Sequence, residues 1–151
     1  MQRYVGKHLR KGRFSEPGRT YLITTNTFKR EPLFTEWQVG RLVCHELRRE
    51  HDNYCVSSIA WVIMPDHLHW LVTLNEGSLA GVMCRVKARA ACAVNTALGR
   101  SGPVWQRGYH DRAMRRDEDL KAAARYIIAN PVRARLVTTV GHYPLWDARW
   151  L

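Results

Sequence analysis

The sequence predicts an α+β fold, with a ferredoxin-like antiparallel sheet, helices on one face and a further helix near the C-terminus. Segments typical of strands and segments with helical periodicity occur in the order β α β β α β α. Only Pro65 and Asp66 separate the two middle strand segments, and this pair favours a turn. The 151 residues suffice for one domain and are few for two, so a single domain over residues 1–151 is expected.

The first half of the chain supplies three strands and one helix. Alternating or β-branched runs predict strands over Thr20–Thr27 and Tyr54–Met64, and a third strand that begins at His67. From Glu36 to about Glu50, apolar residues recur at helical spacing and charged residues fill the remaining face. This segment is therefore predicted to be the first helix.

The second half supplies two helices around a short strand. Ser78 is a suitable N-cap for a long helix that Gly99 would end. A short strand is predicted near His110–Met114, and Asp117 is expected to cap a last helix that Pro131 ends. With the first two helices on one side, the other face of the sheet is expected to be open for a ligand.

Both ends of the chain are predicted to differ from the core. The first 15 residues are basic and aperiodic, which predicts a flexible arm that could touch a phosphate backbone. Residues 132–151 are predicted to form a tail that packs on the core.

The charge of the chain favours a polyanionic partner. Lys and Arg number 24 against 13 Asp and Glu, which gives a formal net charge of +11. Most of the cations are arginines, whose planar guanidinium matches phosphate oxygens well. Nucleic acid is therefore favoured over a membrane surface, with a merely solvated basic surface as the alternative.

The location of the protein is predicted to be the cytoplasm. The four cysteines show neither CxxC pairs nor zinc-finger spacing, which indicates buried thiols in a reducing compartment. No run of about 18 apolar residues occurs, and the first residues lack the apolar segment of a signal peptide. A membrane partner is not expected.

The segment MPDHLHWLV, from Met64 to Val72, carries the first candidate site. Alternate residues of a strand share a face, so His67 and His69 are expected to lie together on the face opposite Trp70. Two imidazoles could hold one divalent cation, or they could be ordinary strand residues, and two ligands alone are too few for a site. Asp66 could be a further ligand or could serve only the turn.

The last predicted helix carries the second candidate pair. Tyr126 and Asn130 are four residues apart and therefore share one flank of the helix. Each also has an ordinary explanation, because tyrosine is common at core boundaries and asparagine at helix C-termini.

The sequence resembles a known family at these positions. PDHLHWLV resembles the His-hydrophobic-His motif of the HUH single-tyrosine transposases, a superfamily of insertion-sequence transposases. The segment VWQRGYHDRAMRRDEDLKAAARYIIANPVRARLV resembles the C-terminal signature of their REP-associated tyrosine transposase branch. The resemblance implies that His67, His69 and Asn130 bind a divalent ion, Mg²⁺ or Mn²⁺, and that Tyr126 is the nucleophile. It also implies a monomer, with a homodimer as the alternative.

The implied reaction is the nicking and rejoining of single-stranded DNA beside a hairpin, through a 5′-phosphotyrosine intermediate. A phenol with a pKa of about 10 is a weak nucleophile at neutral pH, so a cation that polarises the phosphate is needed. His110 and Asp111 could support the site or be plain strand residues. The candidate phosphate contacts, each of which could instead be solvated, are Arg85, Arg89, Arg112, Arg115, Arg116, Arg133 and Arg135.

Two other functions are compatible with the same residues. A catalytically inactive ferredoxin-like protein would bind single-stranded nucleic acid with strong salt dependence but form no covalent adduct. A zinc-dependent phosphodiesterase that uses activated water would not need Tyr126, although no carboxylate-rich cluster accompanies the histidines.

Overall fold

The structure, a computed structural model, describes residues 15–149. The predicted basic arm, apart from Ser15, and the last two residues of the predicted tail lie outside the described residues. In the described part of the chain, no helix is long and apolar enough to cross a membrane.

The described residues form a five-stranded antiparallel sheet with helices, which confirms the predicted α+β fold. The strands are β1 (Thr20–Asn26), β2 (Val56–Met64), β3 (His67–Leu74), β4 (His110–Ala113) and β5 (Trp146–Ala148). The helices are α1 (Trp37–Asp52), α2 (Leu79–Leu98), α3 (Leu120–Ile128) and α4 (Asn130–Arg133), with 3₁₀ turns at Phe28–Arg30 and Val140–His142. Across the sheet the strand order is β4-β1-β3-β2-β5.

The main hydrophobic core lies between α1, α2 and one face of the sheet. On β3, Leu68 and Trp70 are fully buried in this core, as the alternation of the sequence predicts. The indole N–H of Trp70 donates a hydrogen bond to Ser58 Oγ at 2.9 Å, so the ring is buried without an unpaired polar atom. This core fixes the opposite face of β3 as the one that carries His67 and His69.

That opposite face is not open along its whole area, contrary to the prediction. The helix α3 packs on it and forms a second apolar core in which Leu71, Ala124 and Ile127 are buried. Alternation along β3 places Leu71 on this face, but it gives no information about packing by a helix that lies about 50 residues later in the chain. The part of the face that carries His67 and His69 remains partly exposed.

The long helix α2 begins and ends where its capping residues predict. Ser78 Oγ accepts a hydrogen bond from the backbone N–H of Gly81 at 3.0 Å. Gly99 adopts a left-handed conformation, with φ of 60°, at the C-terminal end. That conformation is costly for residues with a Cβ, which explains why glycine ends the helix.

The predicted N-cap of the last helix, Asp117, is wrong by two residues. The cap is Asp119, whose carboxylate accepts from the backbone N–H of Ala122 at 3.0 Å. Asp117 instead lies in a turn closed by Glu118, whose carboxylate accepts from the backbone N–H of Arg115 at 2.8 Å. Both aspartates suit an N-cap, so the sequence could not choose between them.

The predicted role of Pro131 is also wrong, because the helix ends before it. The helix α3 ends at Ile128, and Pro131 lies in the first turn of the short helix α4. Proline suits this position, since a first turn has no helical partner for a backbone N–H. Asn130 is therefore the first residue of α4 and not a C-terminal cap of α3.

The residues that follow α4 return to the sheet and end in β5. The hydroxyl of Tyr143 donates a hydrogen bond to the carbonyl of Ile63 at 2.5 Å. Leu145 is buried against α1 at Gly40, where a Cβ would overlap the Leu145 side chain. These contacts place β5 alongside β2, as the strand at the edge of the sheet opposite β4.

Candidate active site

His67 and His69 lie side by side on the face of β3 that does not enter the main core. Their ring centroids are 5.0 Å apart and the ring planes are almost perpendicular, at 81°. His69 pairs across the sheet with Thr24 of β1 and Val62 of β2. The two imidazoles therefore occupy the middle of the sheet, at the start of its central strand.

Each imidazole is held through its Nδ1 atom. His67 Nδ1 lies 2.7 Å from Asp66 Oδ1, and His69 Nδ1 lies 2.8 Å from Thr24 Oγ1. When Nδ1 donates to such a partner, the lone pair of the neutral ring is on Nε2. Imidazoles that bind metals are commonly oriented in this way. The arrangement thus leaves Nε2 of both rings for a ligand.

Asp66 orients His67 and is itself held by Arg30. Arg30 Nε donates to Asp66 Oδ2 at 3.0 Å, while Asp66 Oδ1 faces the His67 ring. Burial alone would raise the pKa of Asp66, but the hydrogen bonds from Arg30 and His67 outweigh it and hold this pKa below its ordinary value. Asp66 is therefore ionised at neutral pH and accepts from His67, in addition to lying in the turn.

His69 is uncharged at neutral pH. Burial of its ring, the charge of His67 and the charge of Arg133 lower its pKa from 6.5 to about 4. A neutral imidazole is the form that binds a metal or accepts a proton. The nitrogen of His69 is consequently available to a ligand at neutral pH and below.

Arg133 connects the two residues that the sequence singles out near the C-terminus. The centre of its guanidinium lies 3.9 Å from the centroid of the Tyr126 ring. Its Nη2 donates to Asn130 Oδ1 at 2.6 Å. The helix α3, which carries Tyr126, packs on β2 and β3 over the face that bears the imidazole pair, and the charge of Arg133 lowers the pKa of His69. Tyr126, Asn130 and the histidines are therefore on one side of the sheet.

Tyr126 is accessible to a large ligand. It lies on α3 next to Ile127, which enters the second core, and its own side points to solvent, with 67% of the residue exposed. The ordinary explanation, a tyrosine packed at a core boundary, does not fit this exposure. The Tyr126 ring contacts the guanidinium of Arg133, and this contact lies at the protein surface.

The metal site expected at these residues would combine two imidazoles with an amide oxygen. In the described part of the chain, no group of three His, Cys, Asp or Glu side chains could hold a metal ion. The donors that the structure offers are the imidazoles of His67 and His69 and the amide oxygen of Asn130, which now accepts from Arg133. By donor chemistry, two imidazoles and one amide oxygen are compatible with an open site for a divalent ion, in which water or phosphate oxygens would take the remaining positions.

The candidate phosphate contacts divide between the two faces of the sheet. Arg112 pairs with Leu22 on the face that carries the histidines, and its guanidinium lies 3.0 Å from Glu118. Arg115 lies 3.7 Å from the same carboxylate. Arg133 is exposed at the end of α4, and Arg116 and Arg135 are exposed on turns beside α3 and α4. These five share the C-terminal part of the chain with Tyr126, and their contact with DNA stays a prediction.

Arg85 and Arg89 lie on α2, on the other side of the sheet. Arg85 makes two-pronged hydrogen bonds to Glu50 of α1, the shortest 2.6 Å long, and Arg89 lies 3.7 Å from the same carboxylate. Glu50 is almost fully buried, so this ion pair has an evident structural role. The structure does not bring these two arginines together with Tyr126.

We expect Arg85→Ala to lower the free energy of unfolding by about 2–3 kcal/mol, because it strips the buried Glu50 carboxylate of its two-pronged partner. Arg89 remains 3.7 Å away, which limits the loss. Urea unfolding followed by circular dichroism measures the change, with Arg89→Ala as a milder control. An Arg85→Ala variant of unchanged stability that binds DNA more weakly would instead make Arg85 a phosphate contact.

Sequence reasoning missed Thr24, Arg30 and the specific role of Arg133. Thr24 is one polar residue in an alternating strand, and only the register between β1 and β3 brings it to His69. His110 pairs with Thr24 from the other side and shares the histidine face, whereas Asp111 pairs with Ile23 and lies on the face covered by α1 and α2. A support role for His110 stays a prediction.

Comparison with known proteins decides the family of the chain. Residues 19–130 match the sequence family described as transposase IS200 like. The chain belongs to the IS200-like transposase family. The match extends over β1 to β4 and α3, and includes the two histidines, Tyr126 and Asn130.

Similar members of this transposase family indicate the REP-associated branch, as the sequence predicted. A REP-associated tyrosine transposase of Escherichia coli K12 is 27% identical over 138 residues, which cover 87% of this chain and 78% of that protein. A Haemophilus influenzae protein with a provisional form of that name is 28% identical over 104 residues, or 62% of this chain and 59% of that protein. A solved structure of a REP-associated tyrosine transposase bound to a REP hairpin has a TM-score of 0.72 and 25% identity, and the match covers 97% of this chain and 82% of that one.

Proposed function

We propose that this protein nicks and rejoins single-stranded DNA beside a hairpin, with Tyr126 as the nucleophile. The observation that carries the proposal is the position of Arg133, which contacts both Tyr126 and Asn130 and whose charge lowers the pKa of His69. These contacts support a site that combines the phenol of Tyr126, the amide oxygen of Asn130 and the two imidazoles on one accessible side of the sheet. The relative bound to a REP hairpin supports a hairpin as the DNA partner.

The proposed reaction exchanges one phosphate ester for another. The phenol oxygen of Tyr126 bonds to the phosphorus, and the bond from phosphorus to the 3′ oxygen of the preceding nucleotide breaks. The phenol proton is lost to solvent and the departing 3′ oxygen takes up a proton, so the charges balance. The products are a 5′-phosphotyrosine and a free 3′-hydroxyl, and attack by a 3′-hydroxyl reverses the step without nucleotide hydrolysis.

A divalent ion, Mg²⁺ or Mn²⁺, is part of the proposal. His67, His69 and Asn130 would hold it, and it would supply a positive charge that polarises the scissile phosphate. Asp66 and Thr24 orient the two rings. Asn130 Oδ1 accepts one hydrogen bond from Arg133, and its second lone pair would be available to the ion.

An inactive nucleic-acid-binding protein is the second candidate. It is favoured by one observation: the positively charged guanidinium of Arg133 lies 2.6 Å from the amide oxygen of Asn130, where its charge would oppose a bound cation. In this case the basic surface would bind hairpin DNA, with affinity that falls steeply with salt and does not respond to a chelator. We further propose that the protein acts as a monomer, which sedimentation of the purified chain would test.

The decisive experiment is a search for a covalent adduct. The protein is incubated with fluorescent hairpin DNA that carries a single-stranded extension, with Mn²⁺ or with EDTA, and separated on a denaturing gel. We expect a labelled band of higher mass with Mn²⁺, reduced at least about 100-fold by EDTA, because the phosphate is then no longer polarised. DNA binding without any such band, over a panel of hairpins from the flanking genome, would instead support the inactive binding protein.

A further inference from the structure

A trough of aromatic and basic side chains runs along the β5 edge of the sheet, beside α1. Two adjoining cavities of about 290 and 320 Å³ form it, and they share Arg48, Trp61 and Asp147 as lining residues. Neither cavity is lined by His67, His69 or Tyr126. The trough is thus distinct from the candidate active site.

One flank of α1 forms the wall of the trough. Trp37, Arg41, His45 and Arg48 line it at intervals of four, four and three residues, the spacing of a single helix face. The opposite wall comes from Trp61 of β2 and from the residues around β5. Hydrophobic side chains of α1 enter the core, so this flank is the polar one that the fold leaves accessible.

The charge of the trough is positive and unpaired. Within residues 15–149, no carboxylate forms an ion pair with Arg41, Arg48 or Arg149, each of which lines one or both cavities. The single carboxylate in the lining, that of Asp147, accepts a hydrogen bond from the backbone N–H of Ala148 at 2.8 Å. The trough therefore differs from the α2 surface, where Arg85 is neutralised by Glu50.

Aromatic rings lie between these charges. Trp37 is 44% exposed, and the guanidinium of Arg41 lies 5.5 Å from its ring centroid. Trp61 and Trp146 contribute partly exposed rings to the same cavity. Grooves that combine arginines with aromatic rings bind single-stranded nucleic acid, because bases stack on the rings while the backbone meets the charges. An acidic protein partner would bind the arginines, but it would not explain the exposed tryptophan rings between them.

The trough lies at the β5 edge of the sheet, two strands away from β3, which carries the imidazoles. His69 pairs with Val62, and Val62 pairs with Trp146, so these three residues form one row across the sheet. Neighbouring strands are about 4.8 Å apart, which places the backbone of Trp146 roughly 10 Å from that of His69. Val62 is buried beneath α3, and the α1 wall lies on the opposite face of the sheet, so a nucleic acid strand that leaves the imidazole pair must pass around the β5 edge to enter the trough.

We propose that the trough binds the single-stranded DNA that extends from the hairpin. This inference rests on the proposed function in one respect, that the substrate is DNA. It assigns Arg41 and Arg48 to the phosphates of the extension and Trp37 to stacking on a base. Neither a hairpin without an extension nor the chemical step requires these side chains.

The test compares the double variant R41A/R48A with the unmodified chain in DNA binding. Fluorescence anisotropy is measured for one hairpin with and without a ten-nucleotide extension, at several salt concentrations. We expect binding of the extended hairpin to weaken about tenfold, with a salt slope smaller by about 1–2, because two phosphate contacts are lost. Trp37→Ala should weaken it about five- to tenfold with an unchanged slope. The blunt hairpin should bind as before.

Arg49→Ala is the matched control, since Arg49 also lies on α1 but on the flank where it pairs with Glu46. Arg49→Ala should change the binding of neither the extended nor the blunt hairpin. Equal binding of the extended hairpin by R41A/R48A and the unmodified chain would overturn the proposal, as would equal losses for both hairpins. If the unmodified chain sediments as a dimer that R41A/R48A dissociates, the trough is an interface between copies, and the proposal is wrong. All measurements are repeated with Tyr126→Phe present, so that they do not depend on adduct formation.

Discussion

Tyr126→Phe is expected to abolish the covalent protein–DNA adduct, with a loss of at least about 10³-fold, because the phenol oxygen is the atom that bonds to phosphorus. The substitution should leave the stability of the fold almost unchanged. Tyr126 is 67% exposed, and substitutions at such positions usually change the free energy of unfolding by less than about 0.5 kcal/mol. The phenylalanine ring can still contact the Arg133 guanidinium, which lies 3.9 Å from the ring centroid.

The measurement is the rate at which a labelled band appears on a denaturing gel with Mn²⁺ present. Tyr54→Phe is the matched control, because Tyr54 is 77% exposed and lies at the end of α1, away from the imidazole pair. It should form the adduct at the normal rate. An adduct that survives Tyr126→Phe would place the nucleophile elsewhere, and cleavage without any adduct would favour a metal-activated water.

His69→Ala should reduce adduct formation by more than about 100-fold, which exceeds the roughly 10–100-fold effect of changing a residue that only orients a metal ligand. The variant should also bind Mn²⁺ more weakly when the free ion is titrated and followed by electron paramagnetic resonance, without DNA. Asp66→Asn should have the smaller effect, since Asp66 acts through the orientation of His67. A larger loss in His69→Ala than in Asp66→Asn would distinguish a residue that binds the metal from one that only orients a metal ligand.

His142→Ala controls for the loss of an imidazole, because His142 is exposed on a 3₁₀ turn and is not part of the histidine pair. It should leave both readouts unchanged. Normal Mn²⁺ binding by His69→Ala would contradict the assignment of this residue as a ligand. Because the pKa of His69 is lowered to about 4, its own protonation should not weaken Mn²⁺ binding between pH 6 and 8. A loss of binding in that range must come from another group.

Features of the fold that depend on neighbouring residues were predictable. The alternation of β3 separates His67 and His69 from Trp70, and Ser78 and Gly99 mark the ends of α2. Each of these follows from the geometry of a single strand or helix. The resemblance to a family added the function expected of Tyr126, which local periodicity does not contain.

Features that depend on distant segments could not be predicted from one sequence. The hydrogen bond of Thr24 to His69 requires the register between two strands, and the residues are 45 positions apart. Covering of Leu71 by α3 requires a helix to pack on the face that was expected to be open. At Asp117 and Asp119 the local chemistry was the same for both residues, so only the turn held by Glu118 decided the cap.

The pairing of β1 has a consequence for the synthesis of the protein. Both neighbours of β1 in the sheet, β3 and β4, leave the ribosome after it, and α3 and α4 follow later still. Chains emerge from the N-terminus, and pairings between distant segments form only when both are present. The contact between Thr24 and His69 can therefore form only after β3 has been synthesised, and the contacts of Tyr126 and Arg133 form later still. A nascent chain cannot assemble this constellation before Arg133 has left the ribosome, which confines any cutting of DNA to polypeptides that have been translated beyond this residue.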